Sequence, residues 1–460
     1  MKKIVLSLSV CSALSFGAGN EELVKEIELL KAQMKHMMQS QQKMATQQEK
    51  VVNEQKEEIK LIVRDQEVTN EAMLEEIYNA SDDSTVKYES FSSLGEGASK
   101  VYHTNNAVSI GGYGEYKFKK YKDYKNTTSA AYNANKNKGE FNIVRFVPYI
   151  GYKFNDWIVM NTEIEFEDGG ARSDDTKNYK YAIVEFSYLD FLIDKSFAIR
   201  IGHILTPFGL VNLNHEPTAY LTTDRPAVET FIIPSTWHTN GALVHGKIDD
   251  FEYYAGVITS PDADHFGDAE GRYIQQGRLG AKQYTDSLSF VARGTYDLGD
   301  GLNVGGSFMY GSSLGSSSNI EVKMTMLEAH ATYQNNGFDI KALATVGTLD
   351  GDVAKLPTEG DIVVSDTVNG QYLTVGYDVL SHFELPHKGY LFAEVERLDM
   401  DVNSQTIYPD NNKFLEYTTG FSYFPDPKVT LKADYKLRDY GSSAKFADEN
   451  SFTFAAGFIF

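Results

Sequence analysis

From Ala107 to the end, the chain alternates apolar and polar residues with a period of two, in sixteen stretches separated by turns of two sizes. Successive side chains of a strand point to opposite faces, so each stretch acquires one apolar and one polar face. Around 156–168, for example, Ile158, Met160, Thr162, Ile164 and Phe166 alternate with Val159, Asn161, Glu163, Glu165 and Glu167. The C-terminal stretch repeats the rhythm, with Phe452, Phe454, Phe458 and Phe460 on one face and Thr453, Ala455 and Gly457 on the other. In water such an apolar edge invites aggregation. In a closed barrel embedded in lipid, hydrocarbon solvates the aromatic face and the first strand satisfies the backbone of the last.

The connections carry the topology. Short ones such as Asn155-Asp156, Asp249-Asp250, Asn335-Asn-Gly337 and Pro425-Asp-Pro427 are built of turn residues. They alternate with long ones at 120–138, 169–179, 206–238, 260–286, 313–321, 348–370, 400–412 and 440–450. Short turns on one side, long loops on the other and an even strand count predict an all-β fold: a 16-stranded antiparallel transmembrane β-barrel over 107–460. A charge near the lipid midplane costs about 2–4 kcal/mol, so the charged faces must look inward. Arg145, Glu163, Glu165, Glu167, Glu185, Arg200 and Arg293 are therefore expected to line the lumen. Asp378, Glu394, Glu396, Glu416, Lys432, Asp434, Lys436 and Arg438 follow by the same logic. A soluble sandwich would show the same alternation inverted in space, and the many Tyr and Phe on the apolar faces argue against it.

The other end of the chain points to export. Lys2 and Lys3 precede an apolar run from Ile4 to Leu14 and small residues around Ser15-Phe-Gly17, the layout of a signal peptide over 1–18. That run is too short to span a membrane, which needs about 20 apolar residues. Cys11 is the only cysteine, so a cleaved chain has neither disulfides nor a cysteine-based site. The segment 21–79 lacks Gly and Pro, and places Leu23, Ile27, Leu30, Met34, Met37, Gln41 and Met44 at alternating spacings of four and three. That is the seam of an α-helical coiled coil, which continues after a one-residue slip through Val52, Gln55, Ile59 and Ile62. At 1.5 Å per residue the rod would reach roughly 80–90 Å. Its Gln seam positions favour a specific oligomer. Residues 80–106, rich in Ser, Asp and Gly, read as a linker. The mean hydropathy of −0.35 resembles a soluble protein, but lipid-facing and lumen-facing residues cancel in such an average. A net charge of −21 excludes nucleic acid as a natural partner.

The connection 206–238 joins two well-patterned strands, and an ordered loop this long is usually functional. Pro207, Pro217, Pro226 and Pro234 stiffen it, and it carries His215, Glu216, Asp224, Arg225, Glu229 and His238. Stiffness with mixed charge predicts a loop folded inward to constrict the barrel; an external lid is the alternative. His203, His215 and His238 could be gathered round a metal, but structural roles are the expectation, with no metal and no cofactor. Ser235 lies in no nucleophile-elbow sequence and no His-Glu-x-x-His helix is present, so no catalytic residues are expected.

Ile110-Gly-Gly-Tyr-Gly-Glu115, Gly202-His-Ile-Leu-Thr-Pro-Phe-Gly209, Asn214-His-Glu-Pro217, Asp224-Arg-Pro226 and Ile232-Ile-Pro-Ser-Thr-Trp237 resemble motifs of the phosphate-selective porin O and P family. The preceding helix is similar to the N-terminal coiled coil of trimeric dicarboxylate-uptake porins. The resemblance implies a homotrimer in the outer membrane of a Gram-negative bacterium, in contact with the lipid bilayer and lipopolysaccharide, with its coiled coil in the periplasm. It implies diffusive passage of small hydrophilic or ionic solutes through a water-filled barrel narrowed by the loop. It does not carry the phosphate site, because no comparable run of lysines is present; Arg145, Arg200, Arg225 and Arg293 would form a sparse path opposed by Glu163, Glu165 and Glu167. Peptidoglycan contact follows from the reach of the rod and its Lys/Glu surface. A surface adhesin or autotransporter-like barrel, and a membrane-embedded hydrolase, are the rival readings.

Overall fold

The computed structural model describes residues 89–122, 139–168, 182–266, 273–278, 285–357, 364–403, 409–441, 444 and 449–460, with isolated positions between Lys25 and Lys60. The chain divides into two units, Met1–Glu76 and Ile77–Phe460. In the first, the described positions are helical and exposed. The rest of the coiled-coil reading, the signal peptide and 80–88 lie outside the described residues.

The second unit is a closed antiparallel barrel of sixteen strands, each paired with its neighbours in sequence and the last with the first. The strands are β1 Val108–Tyr121, β2 Gly139–Asn155, β3 Ile158–Glu167, β4 Ile183–Asp194, β5 Phe197–Leu205, β6 His238–Ile248, β7 Phe251–Thr259 and β8 Leu288–Asp297. They continue as β9 Leu302–Leu314, β10 Glu321–Asn335, β11 Phe338–Gly351, β12 Thr367–Asp378, β13 Lys388–Asp399, β14 Lys413–Asp426, β15 Val429–Tyr440 and β16 Glu449–Ile459. The expected sheet is therefore present. Boundaries shift by a few residues: His238, for example, opens β6, because it pairs with Leu205, and β12 begins at Thr367, inside the connection expected over 348–370. The short turns have the chemistry their geometry needs, with Asn336 (φ 51°) and Gly337 (φ 80°) both left-handed between β10 and β11.

Closure runs through the C-terminus. Gly112 N–H donates to Phe460 O at 3.0 Å and Phe460 N–H donates to Gly112 O at 2.9 Å, extending a ladder that pairs Tyr113 with Ile459. A Cβ on Gly112 would lie 2.4 Å from Val147 O and 2.7 Å from the Phe460 ring, so only glycine lets the seam close here.

Burial follows the period of two. In β16, Ser451, Thr453 and Ala455 are buried while Phe452 and Phe454 are exposed. Ile201, Val257, Phe290, Leu327, Leu373 and Tyr417 are likewise exposed, giving the barrel an apolar outer face. Asn161, Glu163, Arg200, Glu394, Glu416 and Asp434 are buried on the other. No described helix is long and apolar enough to cross a membrane.

Leu327 sits mid-strand on β10 between Phe308 and Val346 and is 50% exposed. In lipid vesicles, Leu327→Arg should destabilise the barrel by about 2–4 kcal/mol, read by denaturant titration of tryptophan fluorescence. A cost near zero would mean that this face looks onto water.

Candidate functional site

Two segments pack against the polar face. One is a helix, α1 (Glu96–His103), which lies within the stretch whose composition marks a linker. The other is the loop 206–237 between β5 and β6. Together they touch side chains of β1, β3, β9, β12, β13, β14 and β15. A segment can reach both sides of a closed ring in this way only through its interior.

The loop's base is held by Asn212, whose Nδ2 donates to Thr206 O (2.7 Å) and Trp237 O (2.9 Å) while its Oδ1 accepts from Trp237 N (2.6 Å). Further along, backbone groups that would otherwise be orphaned are taken up by the wall. Ala227 and Val228 N–H, opening a π-helical turn over Val228–Ile232, both donate to the Glu396 carboxylate at 2.9 Å. Thr223 donates to Asp434 through its N–H (2.7 Å) and hydroxyl (3.0 Å). The Lys432 ammonium donates to Tyr220 O (2.6 Å) and Thr222 O (3.0 Å), and Ser422 and Lys341 donate to Leu221 O and Ala219 O. Buried backbone polar groups need such partners, which explains why a loop without regular structure is ordered here.

Charge does the rest. Asp224 meets Lys117 at 2.9 Å, Lys119 at 3.0 Å and Lys436 at 3.4 Å. Burial alone would raise its pKa, but these three ammonium groups hold it well below the usual carboxylate range. Glu229 accepts from Leu210 and Val211 N–H at 2.8 Å and from Tyr372 Oη–H at 2.7 Å. Burial outweighs those donors and pushes its pKa up to about 7.

The residues expected at the lumen fall into separate groups. Arg145 is half-buried, with Nη1 donating to Glu165 (3.2 Å) and Nε 3.5 Å from Glu115. Glu163 and Glu185 converge on His215, 3.1 and 3.5 Å from its Nε2. Arg225 donates to His215 O at 3.0 Å. Glu167, at the end of β3, is exposed. Arg200 is fully buried: it donates to Asp190 at 2.8 Å, lies over the Tyr188 ring at 4.3 Å, and shares Asp190 with Tyr102 of α1 and His245. Arg293 donates to Ser93 at 3.0 Å. Arg145 and Arg225 thus share one cluster with Glu165, Glu185 and His215, while Arg200 and Arg293 serve two others. Of the histidines, His203 Nε2 and His238 Nδ1 meet at 2.7 Å, while His215 turns to the carboxylates.

Several participants escape a reading by strand pattern alone. Glu216 accepts from Gly97 (3.1 Å) and Ala98 (3.0 Å) N–H, so the loop caps the N-terminus of α1; the helix in turn offers Ala98 O to Asn161 Nδ2 at 2.8 Å. Its close seat on β2 needs Gly151, where an added Cβ would come within 2.4 Å of Val101. Lys117 and Lys119, also missed, sit at alternate positions of β1 and share a face, so alternation along that strand is the signal that could have found them. Asp190 and His245 gave no local signal.

Between the loop and the short-turn end of the barrel remains a cavity of about 460 Å³, bordered by Lys247, Glu252, Arg293, Lys341 and Glu394 on the wall and Tyr220 on the loop. A closed ring with a filled centre and a polar chamber defines a porin-like barrel. Its backbone is similar to the outer-membrane channel DcaP of Acinetobacter baumannii (12% identity, 77% of this chain and 97% of that one, TM-score 0.50). An anion-selective porin from Comamonas acidovorans (11%, 77% and 99%, 0.50) and OprB of Pseudomonas putida (10%, 77% and 94%, 0.51) are similar in the same way. At these identities the likeness is one of fold. No family model matches the sequence. In sequence the chain is 32% identical over 375 residues to an uncharacterized protein of Aquifex aeolicus, covering 77% of this chain and 80% of that protein. It belongs to the same family as that protein.

A raised carboxyl pKa means that the folded state holds its proton more tightly. The Glu229 contribution is therefore fully present below the ordinary value of 4.5 and is lost as pH rises through about 7. Glu229→Gln, which imitates the protonated group, should match the wild-type melting temperature at pH 5 and exceed it at pH 8.5. Equal melting temperatures at both pH values would refute the assignment.

Proposed function

We propose that the chain is an outer-membrane porin of a Gram-negative bacterium, passing small hydrophilic or ionic solutes by diffusion through a lumen narrowed by loop 206–237. The observation that carries this reading is the loop's attachment to Asp434, Glu396, Lys432 and Tyr372, at one flank of a polar chamber of about 460 Å³. A loop tied by so many directional bonds sets a fixed aperture. The motifs resembling the phosphate-selective porin O and P family lie largely in this loop, which supports the same reading.

Of the charges expected at the lumen, Arg293 borders the chamber together with Lys247, Lys341, Glu252 and Glu394. On the loop's long-loop flank lie Arg145, Glu165, Glu115, Lys117, Lys119 and Asp224. Charges of both signs facing one another make a transverse field that orients polar solutes without strong preference for either ion. Broad permeation with modest ion preference follows. The domain plan completes the proposal: a secreted chain, a coiled coil over 21–79 standing in the periplasm and reaching peptidoglycan, and a homotrimer seated among lipid and lipopolysaccharide.

In planar bilayers the purified chain should give stepwise conductance with a small reversal potential in a salt gradient. Glu396→Ala combined with Asp434→Ala removes the acceptors of Ala227, Val228 and Thr223, and should raise the conductance and its noise. Absence of conductance steps would refute the channel, and steps unchanged by the double variant would refute the loop as its constriction. Strict anion selectivity with phosphate block would overturn the broad permeation.

A further inference from the structure

The convergence of Glu163, Glu185 and His215 is odd for a purely structural contact. Their ligand-type atoms all lie within 4.8 Å of one another, and the three side chains are 0%, 1% and 2% exposed. His215 Nδ1 sits 3.0 Å from Asn212 O. A carbonyl oxygen can only accept, so Nδ1 carries the hydrogen and, in the neutral ring, Nε2 presents a lone pair. That lone pair faces Glu163 Oε1 at 3.1 Å and Glu185 Oε2 at 3.5 Å. Three electron-rich atoms then point at one another. Glu163 Oε2 and Glu185 Oε2 are buried with no hydrogen-bond partner, and no described Lys or Arg makes an ion pair with either carboxylate. Arg145 is already engaged by Glu165 and Glu115, and Arg225 is directed at a backbone carbonyl.

We propose that Glu163 of β3, Glu185 of β4 and His215 of loop 206–237 form a divalent-cation site that pins the loop to the barrel wall. The donor set, one imidazole with carboxylates, suits Zn²⁺ or a first-row cation of similar preference. Two ligands at about 2.1 Å on a tetrahedral ion stand about 3.4 Å apart, close to the spacings of 3.1 and 3.5 Å found here. The Nδ1–H bond to Asn212 O is the outer-shell contact that a metal-bound histidine uses to fix its tautomer. Asn212 is also the residue that staples the loop's base, so the cation would join the base, the wall and, through the adjacent Glu216, the start of α1. The ion adds positive charge where two buried carboxylates otherwise oppose each other. The site requires no channel activity and stands or falls separately from the porin reading.

The test uses the full-length, tag-free chain folded in detergent and stripped with chelator. Titration with Zn²⁺ followed calorimetrically should show one ion per chain and a raised melting temperature. Glu185→Gln and His215→Ala should each lower the affinity at least tenfold, with heat-modifiable gel mobility confirming that the barrel has formed. His203→Ala, at the neighbouring histidine pair, should leave the affinity unchanged. Failure of the folded wild type to take up Zn²⁺ would overturn the proposal, as would wild-type affinity in both carboxylate and imidazole variants, or loss of binding in His203→Ala.

Discussion

Everything in this molecule depends on closing the backbone hydrogen-bond ring. A sheet whose outer face is apolar has nowhere to send the unpaired N–H and C=O groups of an edge strand. The chain removes both edges at once by pairing β1 with β16, down to the bonds between Gly112 and Phe460. Once the ring is closed, the period of two assigns every strand residue to one of two surroundings, and a shift of one position would exchange them all. The apolar outside and the polar inside are consequences of that single closure.

A ring of sixteen strands encloses more space than its own side chains can fill. The chain supplies the filling itself. Loop 206–237 and α1 bring in backbone groups without sheet partners, and the wall brings in carboxylates and ammonium groups that need counterparts. Each satisfies the other: Glu396, Asp434 and Lys432 are neutralised or hydrogen-bonded by the loop, and the loop is ordered by them. Removing one of these wall groups leaves buried backbone polar atoms of the loop without partners, a cost of about 1–3 kcal/mol. The loop's position is therefore set by these polar contacts together with apolar packing, since Phe208, Val228, Ile232 and Trp237 are buried in one cluster with Val291, Met309 and Tyr372 of the wall.

Strand count and the pairing of neighbouring strands were legible in the sequence, because the physics behind them is local. Glu163, Glu394 and Lys436 could be placed inside by counting positions along one strand. The partners could not. Nothing near Glu216 announces that it caps a helix more than a hundred residues earlier, and nothing near Arg200 announces Asp190 and His245. For the same reason α1 reads as linker: its eight residues are too few to be stable alone and are held by Glu216, Asn161 and Gly151. His215 illustrates the limit most clearly, since grouping it with His203 and His238 followed order along the chain, whereas its real neighbours come from β3 and β4.

Which face of the sheet meets water is read directly by single-cysteine labelling in lipid vesicles. With Cys11 replaced by serine, Thr295→Cys and Thr332→Cys, both bordering the chamber, should react with a membrane-impermeant charged thiol reagent. Phe290→Cys and Leu327→Cys, on the apolar face, should react only with a lipophilic maleimide. The reverse pattern, with the apolar-face cysteines open to the charged reagent and the chamber cysteines closed to it, would contradict the account.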